Sequence, residues 1–141
     1  MKDTERKDCL PDGKTVIWQD PQEFCFTTDA VFLAAFPHLV KKARVLELGC
    51  GTGAVSLMLA LRGAGSVLGV DYNPHVIELL NRSIRENHLE QVVTVHQLDL
   101  RNLRQLVPSE SLDLVAANPP YRVGGRRRQV GTAACHEVDT T

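Results

Sequence analysis

The side chains best suited to chemistry in this 141-residue sequence stand immediately after predicted strands. One group, Asn118-Pro119-Pro120-Tyr121, follows the apolar segment 112–117. The Asn118 side-chain oxygen and the Pro119 carbonyl can each accept one hydrogen from a planar amino group. That contact favours a pyramidal nitrogen whose lone pair can attack an electrophilic carbon, so positioning and charge stabilisation suffice without a metal or a covalent nucleophile. Tyr121 adds a flat face on which a planar target can stack.

A second group surrounds a glycine-rich turn between a predicted strand and a predicted helix. In Glu47-Leu48-Gly49-Cys50-Gly51-Thr52-Gly53 the glycines let the backbone turn sharply and approach a ligand. Asp71 follows the next predicted strand, where its carboxylate can accept hydrogen bonds from both hydroxyls of a ribose. Asp99 follows the strand after that, where it or its neighbouring backbone can bind the amino group of an adenine. The spacing Gly49-x-Gly51-x-x-Ala54 also satisfies the dinucleotide-binding pattern.

These residues together resemble the class I S-adenosylmethionine-dependent methyltransferases, over roughly Arg44 to Tyr121. The resemblance implies S-adenosylmethionine as cofactor, with Glu47 near its amino group, Asp71 on its ribose and Asp99 by its adenine ring. It also implies contacts from Asn118 and from the loop residues Gly49, Cys50, Gly51 and Gly53. A carboxylate two residues before the first glycine suits a cationic ligand better than a dinucleotide, whose pyrophosphate is anionic.

A more specific resemblance narrows the choice of the group that accepts the methyl. Methyltransferases with an Asn-Pro-Pro-Tyr tetrad act on adenine in nucleic acids, guanine in ribosomal RNA or glutamine in release factors. The segments Phe24 to Phe36 and His136-Glu137 look most like the valine-tRNA adenine-N6 methyltransferases, which implies N6-methylation of an adenine in tRNA. Two alternatives stay open, glutamine methylation of release factors and a non-catalytic remnant that binds cofactor or RNA. Arg126, Arg127 and Arg128 could neutralise phosphates beside a flipped-out adenine, or form a solvated basic loop.

The elements that must position these residues alternate between apolar strands and helices. The pattern predicts strands at 45–48, 67–70, 92–96 and 112–117, helices at 54–62 and 74–87, and a helical turn near 101–106. The expected fold class is α/β, a Rossmann-like doubly wound parallel sheet. Before it, a helix is predicted from Asp29 to Phe36, and the first 28 residues predict a small β-hairpin region that includes Phe24-Cys25-Phe26.

We expect three regions along the sequence: a hairpin extension at 1–28, an S-adenosylmethionine-binding core at 29–121, and a flexible basic loop at 122–141 that begins a C-terminal half. A complete methyltransferase core adds about three strands after the fourth, so we expect an incomplete sheet and a truncation at the C-terminal end. The fourth strand would then form an apolar edge.

Composition narrows the possible function classes. A net charge of −1 excludes a positive electrostatic potential over the whole surface. Any contact with RNA must therefore be made by a local cluster of basic residues. The four cysteines include no Cys-x-x-Cys pair that could hold zinc. The charged N-terminus is followed by no signal-peptide core, and no apolar run is long enough to cross a bilayer. We therefore expect a cytoplasmic protein with tRNA as its partner and with neither a metal nor a membrane.

Overall fold

The computed structural model describes residues 2–119. Its strands are β1 (Arg6–Cys9), β2 (Val16–Gln19), β3 (Arg44–Leu48), β4 (Ser66–Asp71), β5 (Val93–Gln97) and β6 (Leu114–Ala117). Its helices are α1 (Thr28–Ala35), α2 (Ala54–Leu61), α3 (Pro74–Glu86) and α4 (Leu103–Leu106), with a 3-10 turn over Leu100–Asn102 before α4. The predicted core strands and helices are all present, and their ends differ from the prediction by at most two residues.

The four core strands form one parallel sheet in the order β5-β4-β3-β6. The chain moves outward from β3 through β4 to β5, then returns past β3 to add β6 on the other side. Because such crossovers are right-handed, α2 and α3 lie on one face of the sheet and the connection through α4 passes on the other. The prediction of a doubly wound parallel sheet is confirmed. The reversal between β3 and β6 creates a switch point, where open α/β sheets bind ligands at the carboxyl ends of their strands.

Helix α3 illustrates how local sequence builds the core. Asn73 caps its N-terminus, because the side-chain oxygen accepts the His75 backbone N–H at 2.9 Å, and Pro74 occupies the first helical position. Its buried residues recur with helical spacing and form one face: Val76, Leu79, Leu80, Ser83 and Ile84. Helix α2 instead buries most of its circumference, since it packs on both the sheet and α1.

The N-terminal hairpin is confirmed in part. β1 and β2 pair antiparallel, and the Asp12 carboxylate accepts the backbone N–H groups of Lys14 and Thr15 in the turn between them. The prediction was wrong for Phe24-Cys25-Phe26, which forms no strand. The Phe26 N–H donates to the Gln19 side chain at 3.0 Å, so a buried amide replaces the ladder hydrogen bond that a strand would make.

The hairpin is held against α3 by hydrogen bonds from side chains to backbone. Ser83 Oγ accepts the Trp18 N–H at 2.8 Å. Asn87, just beyond the helix, accepts the Val16 N–H at 2.9 Å and donates to the Val16 carbonyl at 2.7 Å. These contacts satisfy the outer edge of β2, which would otherwise present unpaired backbone groups.

Candidate functional site

The glycine loop and the tetrad lie side by side because of the register between β3 and β6. Leu48 is opposite Ala117 in this parallel pair, so the next residues, Gly49 and Asn118, leave the sheet together. Both line one cavity of about 60 Å³, which also includes Glu47 and the loop up to Val55. We call it the loop cavity. Two motifs 69 positions apart in the sequence therefore meet at the switch point of the sheet.

The loop itself depends on glycine. Gly49, Gly51 and Gly53 have φ values of 63°, 54° and 88°, in the left-handed region that other residues avoid. At Gly53 the restriction is also steric, because a Cβ atom there would overlap the Leu80 side chain of α3. The loop thus turns tightly from β3 into α2 and exposes its backbone to the cavity.

Glu47 is 3% exposed although it is ionisable. Its Oε1 accepts both the backbone N–H and the hydroxyl of Ser56, at 3.1 and 2.6 Å. Burial raises the pKa of Glu47 to about 8, the negative charge of Asp71 adds to that shift, and the two Ser56 hydrogen bonds oppose it. Glu47 is therefore protonated near neutral pH unless a cation enters the cavity.

Asp71 connects the end of β4 to the glycine loop. Its Oδ2 accepts the Gly51 N–H at 2.8 Å and its Oδ1 accepts the Asn73 N–H at 2.9 Å. Each carboxylate oxygen can accept a second hydrogen bond, so both remain suited to hydroxyl groups. Asp71 lines a second, larger cavity of about 380 Å³, which we call the cofactor cavity. Its other lining residues are Gly49, Tyr72, Leu98, Asp99 and Leu100.

Asp99 lines the cofactor cavity but already has a strong partner. Its carboxylate receives the Arg101 guanidinium, with Nη2 at 2.6 Å from Oδ2, and the Arg101 backbone N–H at 3.0 Å. These hydrogen bonds lower the pKa of Asp99 to about 2. Asp99 also caps the 3-10 turn that follows it. The Asp99 carboxylate retains acceptor capacity beyond these Arg101 contacts, so the carboxylate and its neighbouring backbone both remain suited to an amino group.

Cys50 is a buried loop residue whose thiol packs against β4. A Cβ at Gly69 would lie 3.0 Å from Cys50 Sγ, so the sulfur occupies space that only glycine leaves free. Burial raises the pKa of this thiol. The Cys50 N–H donates to the Val70 carbonyl at 3.0 Å. Cys50 therefore supports the loop from behind and offers a ligand little beyond its backbone.

The described residues include only part of the predicted tetrad. Asn118 is half-buried and Pro119 is exposed. Pro120, Tyr121 and the three arginines at 126–128 lie outside the described residues. Within residues 2–119, no group of His, Cys, Asp or Glu is arranged to hold a metal ion, and no helix is long and apolar enough to cross a membrane.

Three residues of the site were not singled out by the sequence. Ser56 meets Glu47 only because the loop folds back on β3, so no sequence pattern reveals it. Tyr72 is 74% exposed in the cofactor cavity, and an aromatic residue directly after a strand-end carboxylate could have been noticed. Phe24 is 66% exposed in the loop cavity, within a segment predicted to belong to the N-terminal hairpin region.

Comparison with known proteins identifies the family. A model described as a methyltransferase domain matches residues 45–137, about two thirds of the sequence. The chain belongs to the methyltransferase domain family. Its described part contains the glycine loop, Asp71, Asp99 and Asn118 within the matched range.

A curated relative of this methyltransferase domain is the tRNA1(Val) (adenine(37)-N6)-methyltransferase of Yersinia pestis. The two are 31% identical over 96 residues, which are 67% of this chain and 38% of the relative. The chain therefore spans about two-fifths of the length of the curated relatives it matches.

Solved structures similar to this methyltransferase domain include P. horikoshii TYW2 in complex with MeSAdo, with a TM-score of 0.59 and 21% identity. The match covers 72% of this chain and 38% of that one. The Pyrococcus abyssi tRNA (uracil-54, C5)-methyltransferase in complex with S-adenosyl-L-homocysteine has a TM-score of 0.60 and 24% identity, over 85% of this chain and 29% of that one. These likenesses confirm the predicted Rossmann-like fold of the class I methyltransferases.

Proposed function

We propose that this protein is the cofactor-binding and catalytic part of an S-adenosylmethionine-dependent N-methyltransferase whose acceptor is the N6 amino group of an adenine in tRNA, of the valine type. The observation that carries the proposal is the register of β3 and β6, which brings Gly49 and Asn118 together on one cavity. The resemblance of Phe24 to Phe36 to the adenine-N6 enzymes, and the curated relative, support the choice of acceptor. A tRNA acceptor also implies a cytoplasmic enzyme.

The residues present fit the cofactor. A volume of about 380 Å³ lies within the range of small-molecule sites, and Asp71 in its wall retains acceptor capacity for the ribose hydroxyls. Glu47 is a buried acid with no cation beside it among the described residues, and an ammonium group would lower its pKa and restore its charge. A dinucleotide has no ammonium group to place beside Glu47. S-adenosylmethionine, when bound, supplies an electrophilic methyl group.

The protein itself contributes positioning and hydrogen-bond acceptors. Asn118 and the Pro119 carbonyl each accept a hydrogen of the adenine amino group, which concentrates its lone pair on the side facing the glycine loop. The rigid proline ring restricts the direction of the carbonyl. Glu47 and Asp71 hold the other reactant from the opposite side of the switch point. The cofactor is thus held at the ends of β3 and β4, and the acceptor is held at the end of β6.

Transfer of a radiolabelled methyl group tests the proposal. Wild-type protein and the Asn118→Ala variant are incubated with labelled S-adenosylmethionine and either total unmodified tRNA or release factor. The matched control is Asn81→Ala, on α3 and outside both cavities. We expect label in tRNA with the wild type and the control, and none with Asn118→Ala.

Other outcomes contradict specific parts of the proposal. Label in release factor would show that the acceptor is glutamine. If calorimetry shows cofactor binding but no methyl group is transferred to either acceptor, the protein binds the cofactor without catalysing transfer. Binding of NADH in place of S-adenosylmethionine would refute the choice of cofactor.

A further inference from the structure

Phe24 is an aromatic side chain exposed at a place where the proposed reaction needs a flat surface. Its exposed fraction is 66%, while the next two residues, Cys25 and Phe26, are 3% and 9% exposed. Phe24 lines the loop cavity with Asn118 and the glycine loop. It does not line the cofactor cavity, whose walls come from the ends of β3, β4 and β5. The ring therefore borders the site where the glycine loop and Asn118 meet.

The backbone that carries Phe24 is anchored on both sides. The Glu23 N–H donates to the Asp20 carbonyl at 2.8 Å, and the Phe26 N–H donates to Gln19 Oε1 at 3.0 Å. Gln19 is fully buried and its Nε2 donates in turn to Asp8 Oδ2 at 2.7 Å. The backbone on both sides of Phe24 is thus fixed by hydrogen bonds, which keeps the exposed Phe24 side chain beside the cavity.

A third anchor couples this loop to the cofactor side. Asn73 Nδ2 donates to Glu23 Oε2 at 3.1 Å, and the Asn73 N–H donates to Asp71 Oδ1 at 2.9 Å. The residue beside Phe24 is therefore two hydrogen bonds away from the carboxylate proposed to hold the ribose. These two hydrogen bonds fix the position of the loop that carries Phe24 relative to the cofactor cavity.

We infer that Phe24 stacks against the acceptor ring and selects a nucleobase over a flexible amide side chain. The inference rests on the proposed function, and it adds a substrate-positioning residue outside the tetrad. A base offers a π-face to an aromatic side chain, whereas a glutamine carboxamide is small and gains little from such a contact. Stacking would also cover the apolar surface of Phe24 that water now contacts.

The test separates acceptor binding from cofactor binding. Phe24→Ala, Phe24→Leu and Phe24→Tyr are compared with wild type, and Phe36→Ala is the control, because Phe36 is 89% exposed and lines neither cavity. The dissociation constant for S-adenosylmethionine is measured by calorimetry. KM and kcat are measured with unmodified tRNA and labelled cofactor.

Loss of one stacked base predicts that Phe24→Ala raises KM for tRNA by about 5- to 100-fold. The cofactor dissociation constant should change less than twofold. Phe24→Leu, which keeps apolar volume without a ring, should remain impaired, whereas Phe24→Tyr and Phe36→Ala should stay within about twofold of wild type.

Two results would overturn the stacking role while leaving the proposed function intact. One is an active wild type whose KM for tRNA is unchanged in Phe24→Ala. The other is a Phe24→Ala variant that loses cofactor affinity and acceptor affinity equally, which would make the residue a wall of the cofactor site. A wild-type protein that methylates no tRNA would instead overturn the proposed function, and the stacking role with it.

Discussion

Replacing Glu47 with glutamine should remove the loss of folding stability that ionisation of Glu47 causes in the wild type as the pH rises. Glu47 is 3% exposed, and burial raises its pKa from 4.5 to about 8. Between these values the folded protein keeps the proton that the unfolded chain releases. The contribution of Glu47 to the free energy of unfolding is therefore fully present below pH 4.5. It is lost as the pH rises towards 8.

The magnitude follows from the size of the pKa shift. Each unit corresponds to about 1.4 kcal/mol, so the full shift corresponds to a loss of about 5 kcal/mol between pH 4.5 and 8. Glutamine keeps the shape and an oxygen that can accept the two Ser56 hydrogen bonds, but it does not ionise. Glu47→Gln should match the wild type near pH 5 and exceed its unfolding free energy by about 2–5 kcal/mol at pH 8.

Urea unfolding at pH 5, 6, 7 and 8 measures this difference, with Glu90→Gln as control because Glu90 is exposed on a loop. Parallel stability profiles for the wild type and Glu47→Gln would refute a protonated, buried Glu47. The same substitution should weaken S-adenosylmethionine binding by about 10- to 100-fold, since a hydrogen bond to a charged group contributes about 1.5–3 kcal/mol. A more stable variant with weaker cofactor binding would show that Glu47 is retained for the ligand.

Three further substitutions probe the surrounding structure. Gly53→Ala should lower the unfolding free energy by about 1–3 kcal/mol in urea titrations, because φ is 88° and the new methyl group would overlap Leu80. Asp71→Asn leaves one oxygen in place of two, so calorimetry should show cofactor affinity reduced by about tenfold or more at unchanged fold by circular dichroism. Ser83→Ala leaves the Trp18 N–H without its partner, and thermal unfolding should report a loss of about 1–3 kcal/mol.

The sequence predicts the sheet and helices well because their determinants are local. In α3, Asn73 and Pro74 mark the start, and apolar residues at helical spacing define the buried face. The segment Phe24 to Phe26 was misassigned because its aromatic, apolar composition is typical of a strand. Its conformation depends on the Gln19 amide, a contact between side chain and backbone that has no periodic pattern.

The features of the site also fall into two groups: those that the local sequence reveals and those that depend on contacts in the folded protein. Glu47, Asp71 and Asn118 were predicted as site residues from their positions at the ends of strands, which a parallel sheet brings to one edge. The protonation of Glu47 could not be predicted, because it requires knowing that the side chain is buried beside Ser56. Asp99 is different: its partner Arg101 is two residues away, so an ion pair between the two could have been expected from the sequence.

The register between β3 and β6 determines whether the two halves of the site meet, and it is secured at the opposite end of the sheet. The Asp113 N–H donates to the Arg44 carbonyl at 2.8 Å, and Asp113 Oδ2 accepts the Arg44 N–H, also at 2.8 Å. The guanidinium of Arg44 adds an ion pair and lowers the pKa of Asp113. A slip of one residue would move Asn118 by about 3.3 Å and turn its side chain to the other face. Because transfer requires reacting atoms placed to within about 1 Å, these contacts at the base of the sheet govern chemistry at its opposite edge.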